Sequence, residues 1–248
     1  MEEINNTAEI KPASGFDLLI YLAGGFGLLL LLGTLISPYF DVENPSLGYT
    51  IAVISVNFIA LTGFTFAAGI LRRKISWVQL GLKIENFRPV YLLWALGIAI
   101  GLLPLRVAVA IAAQLIFEGG IESLNARADL FSAGGFSLAN ALVNIIGVGI
   151  LAPSAEEFYF RGLLHNWFRQ RWGAGQSIAA SSLVFGIAHY DSIGVAVSAA
   201  IMGAAIGYAY EHSKSLWLPI AIHVVNNSIA VWMLLLFQLL VKSGLVPS

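Results

Sequence analysis

Four polar side chains in the second half of this 248-residue chain, Glu156, His189, His223 and Asn227, stand in segments otherwise built of Leu, Ile, Val, Phe, Ala and Gly. A carboxylate with an imidazole can deprotonate water, and a second imidazole with an amide can donate hydrogen bonds to the oxyanion that results. The carboxylate belongs to the run Ala152-Pro-Ser-Ala-Glu156-Glu157-Phe-Tyr-Phe-Arg161. Pro153 suits a first helical turn, and carboxylates are favoured just inside a helix N-terminus. Glu157 and Arg161 are four apart, in the acid-before-base order that stabilises a helix, and are expected to neutralise each other. Glu156 lies about 100° around the helix with Phe160 four residues on, which leaves it as the candidate general base. The alternative is that both glutamates pair with arginines, one of them Arg106, and only hold helices together.

His189 closes the run Phe185-Gly-Ile-Ala-His189 at the end of an apolar segment. Alone it reads equally as a core histidine. His223 and Asn227 are four apart in the middle of a 27-residue stretch without charge, so both face one spot that needs a partner. Together the set describes water activation by Glu156 and His189 with His223 and Asn227 as oxyanion donors. Glu156, His189 and His223 could instead hold zinc, as two histidines and a glutamate do in several hydrolases. There is no H-E-x-x-H, so such a site would be assembled from three helices. The metal-free reading is preferred, because an amide is a poor zinc ligand and a good oxyanion donor. His165 and His212 fall at helix ends near basic residues and are expected to be interfacial or solvated. Arg106, behind Pro104, could pair with Glu157, snorkel to the interface or line the substrate cavity, and the buried pair is the expectation.

What must position these groups is a set of membrane helices. Hydrophobic residues make up 58% of the chain and charged ones 11%, with a mean hydropathy of +0.82, against roughly 25% charged in soluble domains. The expected fold is all-α, a polytopic transmembrane bundle of about seven spans: 18–37, 47–71, 90–117, 137–160, 176–190, 193–210 and 216–241. A break at Asn226–Asn227 would make eight. Residues 1–16 read as a cytoplasmic leader, 17–136 as N-terminal membrane helices, 137–241 as the catalytic helices of the same domain, and 242–248 as a tail. Arg72, Arg73, Lys74, Lys83, Arg88, Arg169 and Arg171 crowd two loops, whereas loops 38–46 and 118–136 hold none and one (Arg127), which puts the N-terminus in the cytoplasm. Gly97/Gly101 and Ala199/Gly203/Gly207 read as packing surfaces within the bundle. A net charge of −1 excludes the basic footprint of a nucleic-acid binder. Zero cysteines exclude disulfides, thiolate zinc sites and a cysteine nucleophile.

Glu156-Glu157-x-x-x-Arg161, Phe185-x-x-x-His189 and His223-x-x-x-Asn227, in that order on successive apolar helices, resemble the signature of the CPBP intramembrane proteases. That family includes the type II CAAX prenyl endopeptidases and the lysostaphin-resistance and bacteriocin-immunity proteins of bacteria. The match spans about residues 137–230. It implies a helical membrane endopeptidase in which Glu156 and His189 activate water, His223 and Asn227 stabilise the oxyanion, and Glu157 and Arg161 shape the site. The expected partners are membrane lipid and a peptide or lipidated, CAAX-like protein substrate. A bacterial plasma membrane is the expected location. Two readings compete: a non-catalytic adaptor or immunity protein retaining the bundle, and a proton-coupled transporter, which should show repeated halves that this sequence lacks.

Overall fold

The computed structural model describes residues 11–41, 44–120 and 136–246, which form helices and connecting turns without strands. Among the described residues six helices are long and apolar enough to cross a membrane: α1 (Gly15–Tyr39), α2 (Leu47–Leu71), α3 (Val90–Phe117), α4 (Leu138–Arg169), α6 (Ile193–Ser213) and α7 (Trp217–Lys242). Between α4 and α6 lies the shorter apolar helix α5 (Ala174–Ile187). The first ten residues of the expected leader, Arg127 with most of its loop, and the last two residues of the tail lie outside the described residues.

Serines start four of these helices. Ser14 and Asp17 form a reciprocal capping box at α1, and the hydroxyls of Ser46, Ser137 and Ser192 accept from the backbone three residues on at α2, α4 and α6. α7 runs unbroken through Asn226 and Asn227, so the eight-span option is not realised. The fifth expected span is only 14 residues long as a helix, about 21 Å. Its hairpin with α6 is nevertheless deep. The hairpin starts and returns at one end, where Arg169 Nε meets Glu211 Oε1 at 2.9 Å. Its turn sits at the far end of α3, where Gln114 Oε1 accepts from Ser192 Oγ at 2.7 Å and from the Gly194 amide at 3.1 Å.

α4 is the axis of the molecule. Tyr159, Phe160, Leu163 and Leu164 are buried at its centre against Tyr21 of α1, Leu61 of α2 and Phe185 of α5. The Tyr159 hydroxyl donates to the Tyr21 carbonyl at 2.7 Å, an approach that needs Gly25, since a Cβ there would lie 2.4 Å from the hydroxyl oxygen of Tyr159. Within α4 the α-helical stretch Ala152–Tyr159 is bracketed by π-helical stretches, Asn144–Leu151 and Phe160–His165, a distortion associated with functional positions in helices. A second cluster, with Tyr91, Ala95, Met202, Ile206 and Ile222, joins α3, α6 and α7. Large apolar side chains such as Leu30, Leu93, Ile116, Leu183 and Phe237 point outward, as a chain solvated by lipid requires.

Of the two small-residue runs, Ala199, Gly203 and Gly207 are buried between helices. Gly97 and Gly101 are exposed, and a Cβ on either would meet nothing within 4 Å. The sequence expectation of an internal packing surface on α3 is therefore corrected. Spacing defines a stripe, but only neighbours define which way it faces.

Candidate active site

α4, α5 and α7 bring Glu156, Glu157, Arg161, His189 and His223 into one cluster. Glu157 and Arg161 are fully buried, His223 nearly so, and Glu156 and His189 retain 15% and 14% side-chain exposure. The inner carboxylate is saturated on one oxygen. Glu157 Oε1 accepts from Arg161 Nη1 at 3.2 Å and from His223 Nδ1 at 2.7 Å. Removing two charges from water costs several kcal/mol per ion unless each is well paired. Arg161 meets that need twice more, donating from Nη2 to the Gly203 carbonyl at 2.9 Å and lying 4.8 Å from the centre of the Phe185 ring. Gly203 is small for this reason: a Cβ there would stand 3.2 Å from Ser182 Cα and 3.3 Å from Arg161 Nη2.

Glu156 faces the other way, as its 100° offset from Glu157 demands. It has no hydrogen bond among the described residues; its Oε2 lies 4.0 Å from His189 Nε2 and 3.9 Å from His223 Nε2. Both imidazoles are oriented through their other nitrogen. His189 Nδ1 is 2.8 Å from the Phe185 carbonyl, which can only accept, so that nitrogen carries the proton. His223 Nδ1 is turned in the same way by Glu157. The Phe185 ring packs against both histidines, with centroids 4.6 Å and 5.6 Å away. Each Nε2 therefore faces Glu156 Oε2, in the less buried of the two carboxylates. Separations near 4 Å suit groups that share a third, proton-donating partner better than groups bonded to each other.

These separations also test zinc. Two ligand atoms on one tetrahedral zinc stand about 3.3 Å apart, and no three His, Asp or Glu side chains among the described residues are grouped to hold a metal ion. The zinc alternative requires these three side chains to draw closer together than the 4.0 and 3.9 Å seen here.

Asn227 sits one turn beyond His223 on α7. Its Nδ2 donates to the Val148 carbonyl at 3.3 Å, in the π-helical part of α4, and its Oδ1 accepts from Asn226 Nδ2 at 3.1 Å. An amide nitrogen has two hydrogens, so one remains for another acceptor.

Two sequence expectations are corrected. Arg106 does not pair with Glu157; it donates from Nε to the Ser198 carbonyl at 3.2 Å and hydroxyl at 3.1 Å, and from Nη1 to Asn226 Oδ1. Glu157 Oε1 instead binds groups from α4 itself and from α7. His165 is not solvated. It is fully buried, with Nδ1 3.0 Å from Ser181 Oγ and Nε2 2.9 Å from Glu211 Oε1, because the π-helical turns of α4 direct it into the α5–α6 hairpin. His212 is exposed, as expected. Sequence reasoning gave no role to Ser198, and no role within the site to Asn226, to the Phe185 ring or to Gly203, which it read only as part of a packing surface. Asn226 had a signal, as a second amide in a charge-free stretch.

Comparison with known proteins gives the family. Residues 138–229 match the model of the family described as type II CAAX prenyl endopeptidase Rce1-like. The membrane-embedded CAAX protease MroQ of Staphylococcus aureus (strain USA300) is 30% identical over 242 residues, covering 92% of this chain and 90% of MroQ. YdiL, a protein of Bacillus subtilis (strain 168) named as a membrane peptidase, is 30% identical over 143 residues, covering 57% of this chain and 56% of its own length. No solved structure matches. The matched segment holds every residue of the Glu156, His189 and His223 cluster, and the likeness to MroQ runs nearly end to end, so this multi-pass membrane protein belongs to the Rce1-like family of CAAX-type membrane proteases.

Proposed function

We propose that the protein hydrolyses peptide bonds of membrane-associated or lipidated, CAAX-like substrates with a water activated by Glu156 and positioned by His189. The observation that carries this reading is the convergence of both Nε2 atoms on Glu156 Oε2, at 4.0 and 3.9 Å, with each imidazole oriented through its other nitrogen. Water bridging Glu156 and His189 gives a proton to Glu156 as its oxygen attacks the scissile carbonyl. His223, when it carries both protons, is stabilised by Glu157 and donates from Nε2 to the developing oxyanion; the second N–H of Asn227 is the other donor. Glu156 then passes its proton to the leaving amine, and acid and amine products complete the balance. No step runs through a metal. Arg161 fixes Glu157 and thereby the ring of His223. The basic end of the bundle faces the cytoplasm of a bacterial plasma membrane.

The test is cleavage of a mixed library of short lipidated and unlipidated peptides by the purified chain in detergent, compared with Glu156→Ala and His223→Ala and repeated with a strong chelator. Turnover by wild type alone, surviving the chelator, is the expected result. Absence of cleavage, or wild-type cleavage by both variants, supports the non-catalytic adaptor or immunity reading instead. Activity lost to the chelator and restored by zinc overturns the metal-free route.

A further inference from the structure

The end of α2 that carries the basic run Arg72-Arg73-Lys74 opens on a hollow of about 440 Å³, lined by those three residues with Leu71 and Lys11. Consecutive cations after a membrane span are ordinary, but the fourth cation here is not part of that run. Lys11 comes from the segment before α1 and is held through the backbone: its amide donates to the Arg73 carbonyl at 2.9 Å, and Lys74 Nζ donates to the neighbouring Pro12 carbonyl at 3.2 Å. The fold therefore gathers a further cation beside three others, which raises their mutual repulsion. One carboxylate answers them, as Asp17 takes Arg72 at 2.8 Å and Lys74 at 3.1 Å. Among the described residues the Lys11 ammonium and the Arg73 guanidinium have no hydrogen bond or ion pair. Four cations against one carboxylate leave three positive charges in excess around one hollow.

The backbone at Arg73 is equally pointed. Its φ is +57°, a left-handed conformation that usually falls to glycine after a helix. The turn is closed by the Arg73 amide on the Ile70 carbonyl at 2.9 Å and by the Lys74 amide on the Gly69 carbonyl at 2.8 Å. Glycine would satisfy those bonds with less strain, so what arginine adds is a charged side chain that binds nothing among the described residues. The wall of the hollow says where the missing anion comes from. Leu71 is 64% exposed, and the exposed face of α2 continues from it through Phe66, Gly63 and Ile59. An acyl chain fits along that apolar track beneath a phosphate held by the cations, whereas a free phosphate would leave the track unused. Because the span ends at Leu71, the hollow lies at the depth of lipid headgroups, where basic pockets beside membrane helices hold anionic lipid.

We propose that Lys11, Arg72, Arg73 and Lys74 form a binding site for the phosphodiester headgroup of an anionic membrane lipid, with Asp17 positioning Arg72 and Lys74. The probe is short-chain phosphatidylglycerol, titrated onto the full chain in neutral detergent and counted by mass spectrometry of the intact complex. Phosphatidylcholine of the same chain length and inorganic phosphate are the comparators. Binding alone is read, so the outcome does not depend on hydrolysis. Phosphatidylglycerol is expected to bind at least ~10-fold more tightly than phosphatidylcholine. Lys11→Gln and Arg73→Gln should each weaken it roughly 5-fold, and together roughly 25-fold. Arg88→Gln removes a cation from the same end but outside the hollow and should change the affinity by less than about 2-fold. Arg73→Gly takes the left-handed turn without strain, so it should keep the thermal midpoint and still lose the lipid as Arg73→Gln does, which separates loss of the site from loss of the fold. Equal affinity for the two lipids overturns the proposal. So does a loss in Arg88→Gln equal to that in Arg73→Gln, which a diffuse positive field would give, and so does full binding by folded Arg73→Gly. Displacement of phosphatidylglycerol by an equal concentration of inorganic phosphate would assign the hollow to free phosphate and overturn the lipid assignment.

Discussion

Adjacent glutamates with opposite surroundings carry different predictions. Glu157 is fully buried and binds both Arg161 and His223, whereas Glu156 makes no hydrogen bond among the described residues and keeps some exposure. Glu156→Gln should therefore abolish peptide cleavage while leaving the thermal midpoint in detergent within a degree or two of wild type. Glu157→Gln leaves Arg161 and His223 without their anion and should cost about 3–5 kcal/mol of stability, read as a large fall in the same midpoint and in folded yield. Similar midpoints for the two variants would sink the division of labour. Arg161→Lys is not conservative here, because one ammonium cannot span both Glu157 Oε1 and the Gly203 carbonyl in the geometry the fork provides.

At the scale of elements, the site depends on how closely the α5–α6 hairpin closes. Gly186 faces Ala196 and Ala200 of α6: a Cβ would stand 2.8 Å from the Ala196 carbonyl oxygen and 2.8 Å from Ala200 Cβ. The first of these is backbone and cannot step aside. Gly186→Ala should push α5 away from α6 and carry His189, three residues on, off the Glu156 oxygen. Cleavage is expected to fall at least ~10-fold, since misplacement by about 1 Å can cost that and more. Gly101→Ala is the control, because nothing lies within 4 Å of a Cβ there, and surface changes of this kind stay within about 0.5 kcal/mol. Equal tolerance of both substitutions, measured as kcat/KM and thermal midpoint, would show that hairpin closure does not set the site.

For the whole molecule, most of the basic residues among those described gather at one end. The Lys11 amide bonds the Arg73 carbonyl, Ala13 bonds Gln170, and Asp17 receives Arg72 and Lys74 at 2.8 and 3.1 Å. Glu211 binds His165, Arg169 and Lys214 at the same end. The positive-inside rule predicts that this end lies in the cytoplasm. Because the chain contains no cysteine, single introduced thiols report the orientation directly. Glu85→Cys should resist a membrane-impermeant maleimide on intact cells and react in inverted vesicles, while Tyr39→Cys, at the other end of α1, should do the reverse. The opposite pattern would invert the topology and move the route by which substrates reach Glu156.

The helical class and the motif residues were legible in the sequence because lipid leaves so few places for charge: long charge-free stretches fix the helices, and any Glu or His inside one stands out. The Glu157–Arg161 pair was legible too, being local to one helix. The rest depended on neighbours distant in sequence. Which partner Arg106 meets is decided by α6 and α7 crossing α3 at Ser198 and Asn226. His165 is buried because π-helical turns shift the phase of α4, which a 3.6-residue period does not anticipate. Gly97 and Gly101 face outward although their spacing equals that of a buried stripe. Composition and spacing determined what the solvent is and which side chains are expensive within it; the tertiary structure alone decided what those side chains meet, since pairing across 40 to 120 residues of chain is a property of helix packing and not of any local pattern.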